Sequence, residues 1–126
     1  MRAVDTNVVV RLITRDDEQQ VVIAEKYIEK GAWISHLVLA ETAWVLGDLY
    51  AMDHAAIATV IEMLLGHEHF TIQDADVVAS ALGRYRSKPS LGFSDCLVLE
   101  IARKAGHLPF GTFDKQLSRL EGAERL

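Results

Sequence analysis

A chain of 126 residues, half of them apolar and a quarter charged, has the size and composition of one soluble domain with one hydrophobic core. Thirteen Lys and Arg against eighteen Asp and Glu leave a net charge of −5, which excludes the broadly basic surface of an ordinary nucleic-acid-binding module; a phosphate-bearing substrate would need a local basic rim or a cation. No apolar stretch is long enough to span a bilayer, the start MRAVDTN has no apolar run ending in a cleavage site, and the lone Cys96 suits a reducing compartment, so a cytoplasmic protein without membrane contact is expected.

Met1 to Val4 is short and β-permissive, and Asp5-Thr6-Asn7 then supplies the residue types of a turn and helix cap, predicting a strand followed by a helix from about Asn7 to Thr14. Asp16-Asp17-Glu18 opens a second helix whose apolar residues Val21, Val22, Ala24, Tyr27 and Ile28 recur at helical spacing up to Gly31. Ala32 to Ser35 is again β-like, and Leu37 to Tyr50 reads as a mostly buried helix. Asp53 should cap a helix that Gly66 stops, Phe70 to Ile72 a strand, and Asp74 should cap a helix to about Tyr85. Phe93 to Lys104 is a further helix ended by Gly106, Leu108 to Thr112 a strand, Asp114 to Leu120 a short helix, and the last residues an edge strand. Alternating strands and helices predict an α/β fold over residues 1–126, a single domain of three layers with a mostly parallel central sheet covered on both faces. In such folds the chemistry gathers at the carboxyl ends of the strands.

Several carboxylates stand where a solvated surface charge is not expected. Glu41 is the only charge from Leu37 to Leu46, Asp95 the only one from Leu91 to Leu99, and Asp5 the only one between Ala3 and Val10. A carboxylate in an apolar setting needs a partner, a hydrogen bond or a metal. Asp114, just past the Leu108 to Thr112 strand, is the fourth. Asp5 and Asp114 end strands, Asp95 opens a helix and Glu41 lies about five residues into one, so all four can face one sheet edge. Asp5, Asp95 and Asp114 suit helix capping equally well, and Glu41 suits an amphipathic surface. Four like charges at one edge would repel without a cation, and an all-oxygen donor set suits a hard one, Mg2+, with Mn2+ a common substitute. Such a cation takes substrate phosphate oxygens, which points to phosphate-ester hydrolysis.

Val4-Asp5-Thr6-Asn7, Leu39-Ala40-Glu41, Phe93-Ser94-Asp95-Cys96-Leu97 and Thr112-Phe113-Asp114-Lys115, in that order and at this length, resemble a PIN-domain ribonuclease, most nearly the VapC-type toxins of type II toxin–antitoxin pairs. The resemblance covers essentially the whole chain and rests on the ordered set of four motifs. It implies a three-layer PIN-like fold and a metal-dependent endoribonuclease in which Asp5, Glu41, Asp95 and Asp114 hold Mg2+ or Mn2+ and carry catalysis. It also gives Thr6, Asn7 and Thr112 supporting roles and implies a homodimer inhibited by a cognate antitoxin protein. Where the family often has a further acid before the Phe of this motif, the chain has Leu91.

His67-Glu68-His69 has a spacing that zinc accepts but no further ligands, and His36, His54 and His107 are dispersed, so no Ser-His-Asp or Cys-His arrangement is supported. Cys96 reads as a packed thiol, and Trp33, Trp44 and Tyr50 as mostly core. No Walker or dinucleotide-binding glycine loop occurs. A Mg2+-dependent phosphatase and a non-catalytic acidic receiver-like module are the competing readings, although Asp5-Thr6-Asn7 supplies neither the D-x-D-x-T run of the first nor the acidic pair of the second. For RNA, the expected basic rim is Arg84, Arg86 and Lys88, with Arg103, Lys104, Lys115 and Arg119 next. A solvated helix end explains the first three as well.

Overall fold

A computed structural model describes residues 1–126. Six helices and five strands alternate as β1 (Arg2–Ala3), α1 (Thr6–Thr14), α2 (Glu18–Ile28), β2 (Ala32–Ile34), α3 (His36–Asp48), α4 (His54–Gly66), β3 (Phe70–Ile72), α5 (Ala75–Ser87), α6 (Phe93–Ala105), β4 (Phe110–Thr112) and β5 (Ala123–Arg125). A short 3-10 turn, Leu117–Arg119, stands where the sequence predicted a helix from Asp114 to Leu120. The fold is α/β, and every strand pair is parallel.

The helix starts follow local chemistry. Asp5, Asp17, Ser35 and Asp53 each accept a hydrogen bond from the backbone N–H three residues on, satisfying donors that the first helical turn leaves free. Asp74 departs from the expectation: its backbone is left-handed, at φ 42°, its side chain caps nothing, and its carboxylate instead takes the ammonium of Lys104 on α6 at 3.2 Å. Asp76 takes the same ammonium at 3.1 Å, which holds its carboxyl below the usual range.

The strands do not form one continuous sheet. β1, β2 and β3 pair in that order, whereas β4 and β5 pair only with each other. β1 has two residues before Val4 and Asp5 turn into α1, and both pair with β2. The three-stranded sheet is also covered unevenly: Ala32, Ile34, Phe70 and Ile72 point into the core, while Trp33 and Thr71, on the other side of the pleat, stay exposed. Twenty-six buried residues make one core cluster, centred on Val9, Ile34, Leu39, Leu46, Ile61, Leu64, Val78, Leu97 and Leu99. No helix is long and apolar enough to cross a membrane.

Three aromatic residues expected in the core lie outside it. Trp33 sits on the open sheet face, and Trp44 falls opposite the buried stripe Leu39, Thr42, Ala43 and Leu46 of α3. Tyr50 is held at the surface by its hydroxyl, which donates to Asp16 at 2.8 Å and accepts from Arg11 at 3.2 Å.

Candidate active site

Asp5 lies between β1 and α1, and the N–H of Val8 donates to its Oδ1 at 3.2 Å. Asp95 is the third residue of α6, where its Oδ2 accepts from the N–H of Gly92 at 3.3 Å. Asp114 follows β4, and its Oδ1 accepts from the N–H of Leu117 at 2.8 Å while its own N–H donates to the Thr112 hydroxyl at 3.0 Å. Asp5 is thus the N-cap of α1, Asp95 reaches back from the third position of α6 to the N-cap Gly92, and Asp114 bonds the first residue of the 3-10 turn; each engages one carboxylate oxygen and leaves the other free. Glu41 makes no hydrogen bond and is exposed. Its apolar neighbours in sequence do not bury it, because Leu37, Glu41, Trp44 and Asp48 recur every three or four residues and share the outer face of α3.

Helix packing brings three of the four acids onto neighbouring elements. α3 packs on both α1 and α6, and Ala40, Ala43 and Trp44 share a cleft of about 260 Å³ with Gly92, Phe93 and Ser94 of the start of α6. Glu41 and Asp95 are next in sequence to Ala40 and Ser94 of that cleft, and Asp5 caps α1, which also packs on α3. Asp114 belongs to the β4–β5 unit, which is joined to α6 through a separate device.

That device is the one buried acid of the protein. Glu100 on α6 is 5% exposed and receives the Arg103 Nε on both carboxylate oxygens, at 3.3 and 3.2 Å. Arg103 Nη2 donates in turn to the carbonyl of Glu121, just before β5. Gly122 has φ +93°, and a Cβ there would stand 3.0 Å from Arg103 Nη2, so glycine serves both the turn and the close approach. α6 thus carries Asp95 at its start and grips the strand pair that precedes and follows Asp114. Sequence reasoning missed Glu100, although Arg103, three residues on, is a signal that could have found the pair.

None of Asp5, Glu41, Asp95 and Asp114 pairs with a Lys, Arg or His, a property they share with Asp17, Glu18, Glu29, Asp48, Asp53, Glu121 and Glu124. Their free oxygens are hard donors of the kind Mg2+ and Mn2+ accept. The fit to a cation is one of donor chemistry alone: no three His, Cys, Asp or Glu side chains close around a common point. Thr6 and Asn7 make no side-chain hydrogen bonds, and Leu91 is buried in the core. His67 accepts the His69 N–H on its Nδ1 at 3.1 Å, which occupies that nitrogen and leaves no zinc site there.

The expected basic rim is divided. Arg86 is bound to Glu62 of α4 at 2.9 Å, while Arg84 and Lys88 form no ion pair. Of the second group Arg103 and Lys104 are likewise engaged, and Lys115 and Arg119 are not. A cation that sequence reasoning overlooked stands nearer Asp5: Arg11, one turn after Asn7, lines the same cavity as Asp5 and Asn7. It is tied to Gln20 at 2.6 Å, Asp16 at 3.3 Å and Tyr50 at 3.2 Å, and the Tyr50 hydroxyl keeps the Asp16 carboxyl below its ordinary range. Cys96 is fully buried, and burial pushes its thiol up to about 11, consistent with a packing role.

No curated protein and no solved structure matches the chain significantly. A family model, the PIN domain, matches residues 2–123. With all four motif acids unpaired and nearly the whole length matched, the chain belongs to the PIN-domain family, whose members are in general metal-dependent nucleases.

Proposed function

We propose that the chain is an endoribonuclease that hydrolyses RNA phosphodiesters with Mg2+, Mn2+ serving as substitute, and that it acts as the toxin of a toxin–antitoxin pair. The observation that carries the nuclease reading is the family match over residues 2–123, within which the four motif acids have no basic partner to neutralise them. Asp5, Glu41, Asp95 and Asp114 would hold the cation, which when bound supplies a nucleophilic water and charge stabilisation for in-line displacement at phosphorus. The backbone hydrogen bonds to Asp5, Asp95 and Asp114 hold those carboxylates in place before any ligand arrives, lowering the entropy lost on binding. Thr112 orients the Asp114 turn through its hydroxyl. Phosphodiester chemistry is favoured over the phosphatase and receiver-like readings by the family itself.

The toxin reading is supported by the surroundings of Glu41. Leu37 and Trp44, 69% and 63% exposed, flank it on α3. Apolar groups this open favour a protein partner, and an antitoxin that buried them would cover Glu41 as well. A homodimer is the second partnership proposed, read from the concentration dependence of mass in solution. The activity is tested by incubating metal-stripped protein with total RNA, with and without Mg2+ or Mn2+, and mapping the cut ends. Metal-dependent scission at discrete positions is expected. RNA left intact in both metals, or cut equally in chelator, removes the proposal.

A further inference from the structure

A trough of about 480 Å³ runs between α1 and α2 and opens at Asp5. Its direction is fixed by two contacts: Arg2, before Asp5, stacks on the Tyr27 ring at 4.6 Å, and Arg11 meets Gln20 at 2.6 Å. Tyr27 therefore stands at the Asp5 end and Gln20 at the other, with Ile23 between them. Tyr27 and Ile23 face the opening, 41% and 68% exposed, so the trough has an apolar wall beside an acidic mouth. At its far end Arg11 uses Nε and Nη1 within the protein, and its Nη2 donates to nothing.

We infer that this trough is the subsite for a nucleobase adjoining the scissile phosphate, with Ile23 and Tyr27 as its stacking wall and Arg11 Nη2 as a donor to the base edge. The inference rests on the nuclease reading of Asp5 and deepens it. Three features select a base over other occupants. A nucleotide combines one anionic group, which Asp5 accepts only through a cation, with a flat apolar ring close to that group; the trough has Asp5 and the apolar wall in one lining. A base edge carries acceptors that an aliphatic side chain lacks, and the free donor at the far end answers them. The volume accommodates one nucleoside.

Stacking on one side chain contributes about tenfold or more to the affinity for a single base. The test uses protein labelled at the isoleucine methyl groups, with the four nucleoside 5′-monophosphates and ribose 5-phosphate as probes in Mg2+. A base seated on Ile23 shifts that methyl resonance by its ring current, and ribose 5-phosphate, which has no ring, leaves it in place. Ile23→Ser and Tyr27→Ala, at exposed positions, should keep the fold and raise the KM for RNA cleavage about tenfold with kcat little changed. If the protein cuts RNA, but neither variant alters KM and no nucleotide moves the Ile23 signal, the subsite is wrong while the nuclease reading stands. If nucleotides move the signal and no RNA is cut, the nuclease reading fails and the base site survives. A signal that moves with protein concentration and not with nucleotide assigns the trough to contact between two copies and overturns the inference.

Discussion

Arg103→Ala removes the only partner of the one buried acid. Glu100, 5% exposed, loses its bond to Arg103 Nε, and the carbonyl of Glu121 loses a donor. Breaking a fully buried pair by deleting one member costs about 3–5 kcal/mol, because an uncompensated charge is left behind. The Arg103 side chain keeps 29% of its exposure, so water reaches the vacated space and the cost falls to about 2–3 kcal/mol. At roughly 4 °C per kcal/mol for a domain of this size, the thermal midpoint should fall by about 8–12 °C. Glu100→Gln added to Arg103→Ala should recover around half the loss, since an amide is far cheaper to bury than a carboxylate. Because Arg103 grips the β4–β5 unit that carries Asp114, the single variant should also lose cleavage activity severalfold well below its own midpoint. The check is urea unfolding of wild type, both single variants and the double. A loss below about 0.5 kcal/mol in Arg103→Ala, or a double variant no more stable than it, refutes the clamp.

Asp95→Asn should change the metal-free protein by less than about 1 kcal/mol, since an Asn oxygen still accepts from Gly92. Saturating Mg2+ should then stabilise the wild type by about 2.7 kcal/mol at one hundred times its dissociation constant and the variant by little, as read from melts with and without metal. Neutralising Arg84 and Lys88 should lower RNA affinity and flatten its salt dependence by about 0.7 in the logarithmic slope per lost phosphate contact, whereas Arg86→Ala, which breaks the pair with Glu62, should cost at most about 1 kcal/mol of stability and leave RNA binding unchanged. Cys96, raised by burial to about 11 from an unfolded value of 9, favours the protonated thiol in the folded state; its stabilising contribution is complete below pH 9 and lost as pH rises to 11, and thiol labelling at pH 8 should follow global unfolding.

Elements set by neighbouring residues were legible in the sequence. α4 begins after its Asp53 cap and ends at Gly66, and β3 spans Phe70 to Ile72, because caps, glycine stops and apolar periodicity act within a few residues. α6 likewise runs to Gly106 at φ +84°. What the sequence did not show depends on contacts between distant elements. Asp74 has the chemistry of a cap, but Lys104, thirty residues on, takes its carboxylate. Whether Trp44 is inside or outside turns on which face of α3 meets α1 and α6, and a mean apolar composition carries no such phase. Glu41 was singled out for isolation among apolar residues, yet it is exposed, while Glu100, with Arg103 and Lys104 close by in sequence, is buried. The four acids were singled out by spacing and motif order, whereas the α1–α2 trough, the ties of Arg11 and the grip of Arg103 on Glu121 emerge only from packing.

Glu41→Gln tests the central claim most directly, because Glu41 is exposed and makes no hydrogen bond, so losing its charge does not disturb the fold. Mn2+ binding and single-stranded RNA cleavage are to be measured on metal-stripped wild type and variant side by side. The four-carboxylate account predicts that wild type binds Mn2+ and cuts RNA only with metal, while Glu41→Gln binds at least tenfold more weakly and cuts at background rate with an unchanged melting curve. A variant that binds Mn2+ and cleaves RNA as the wild type does would contradict it.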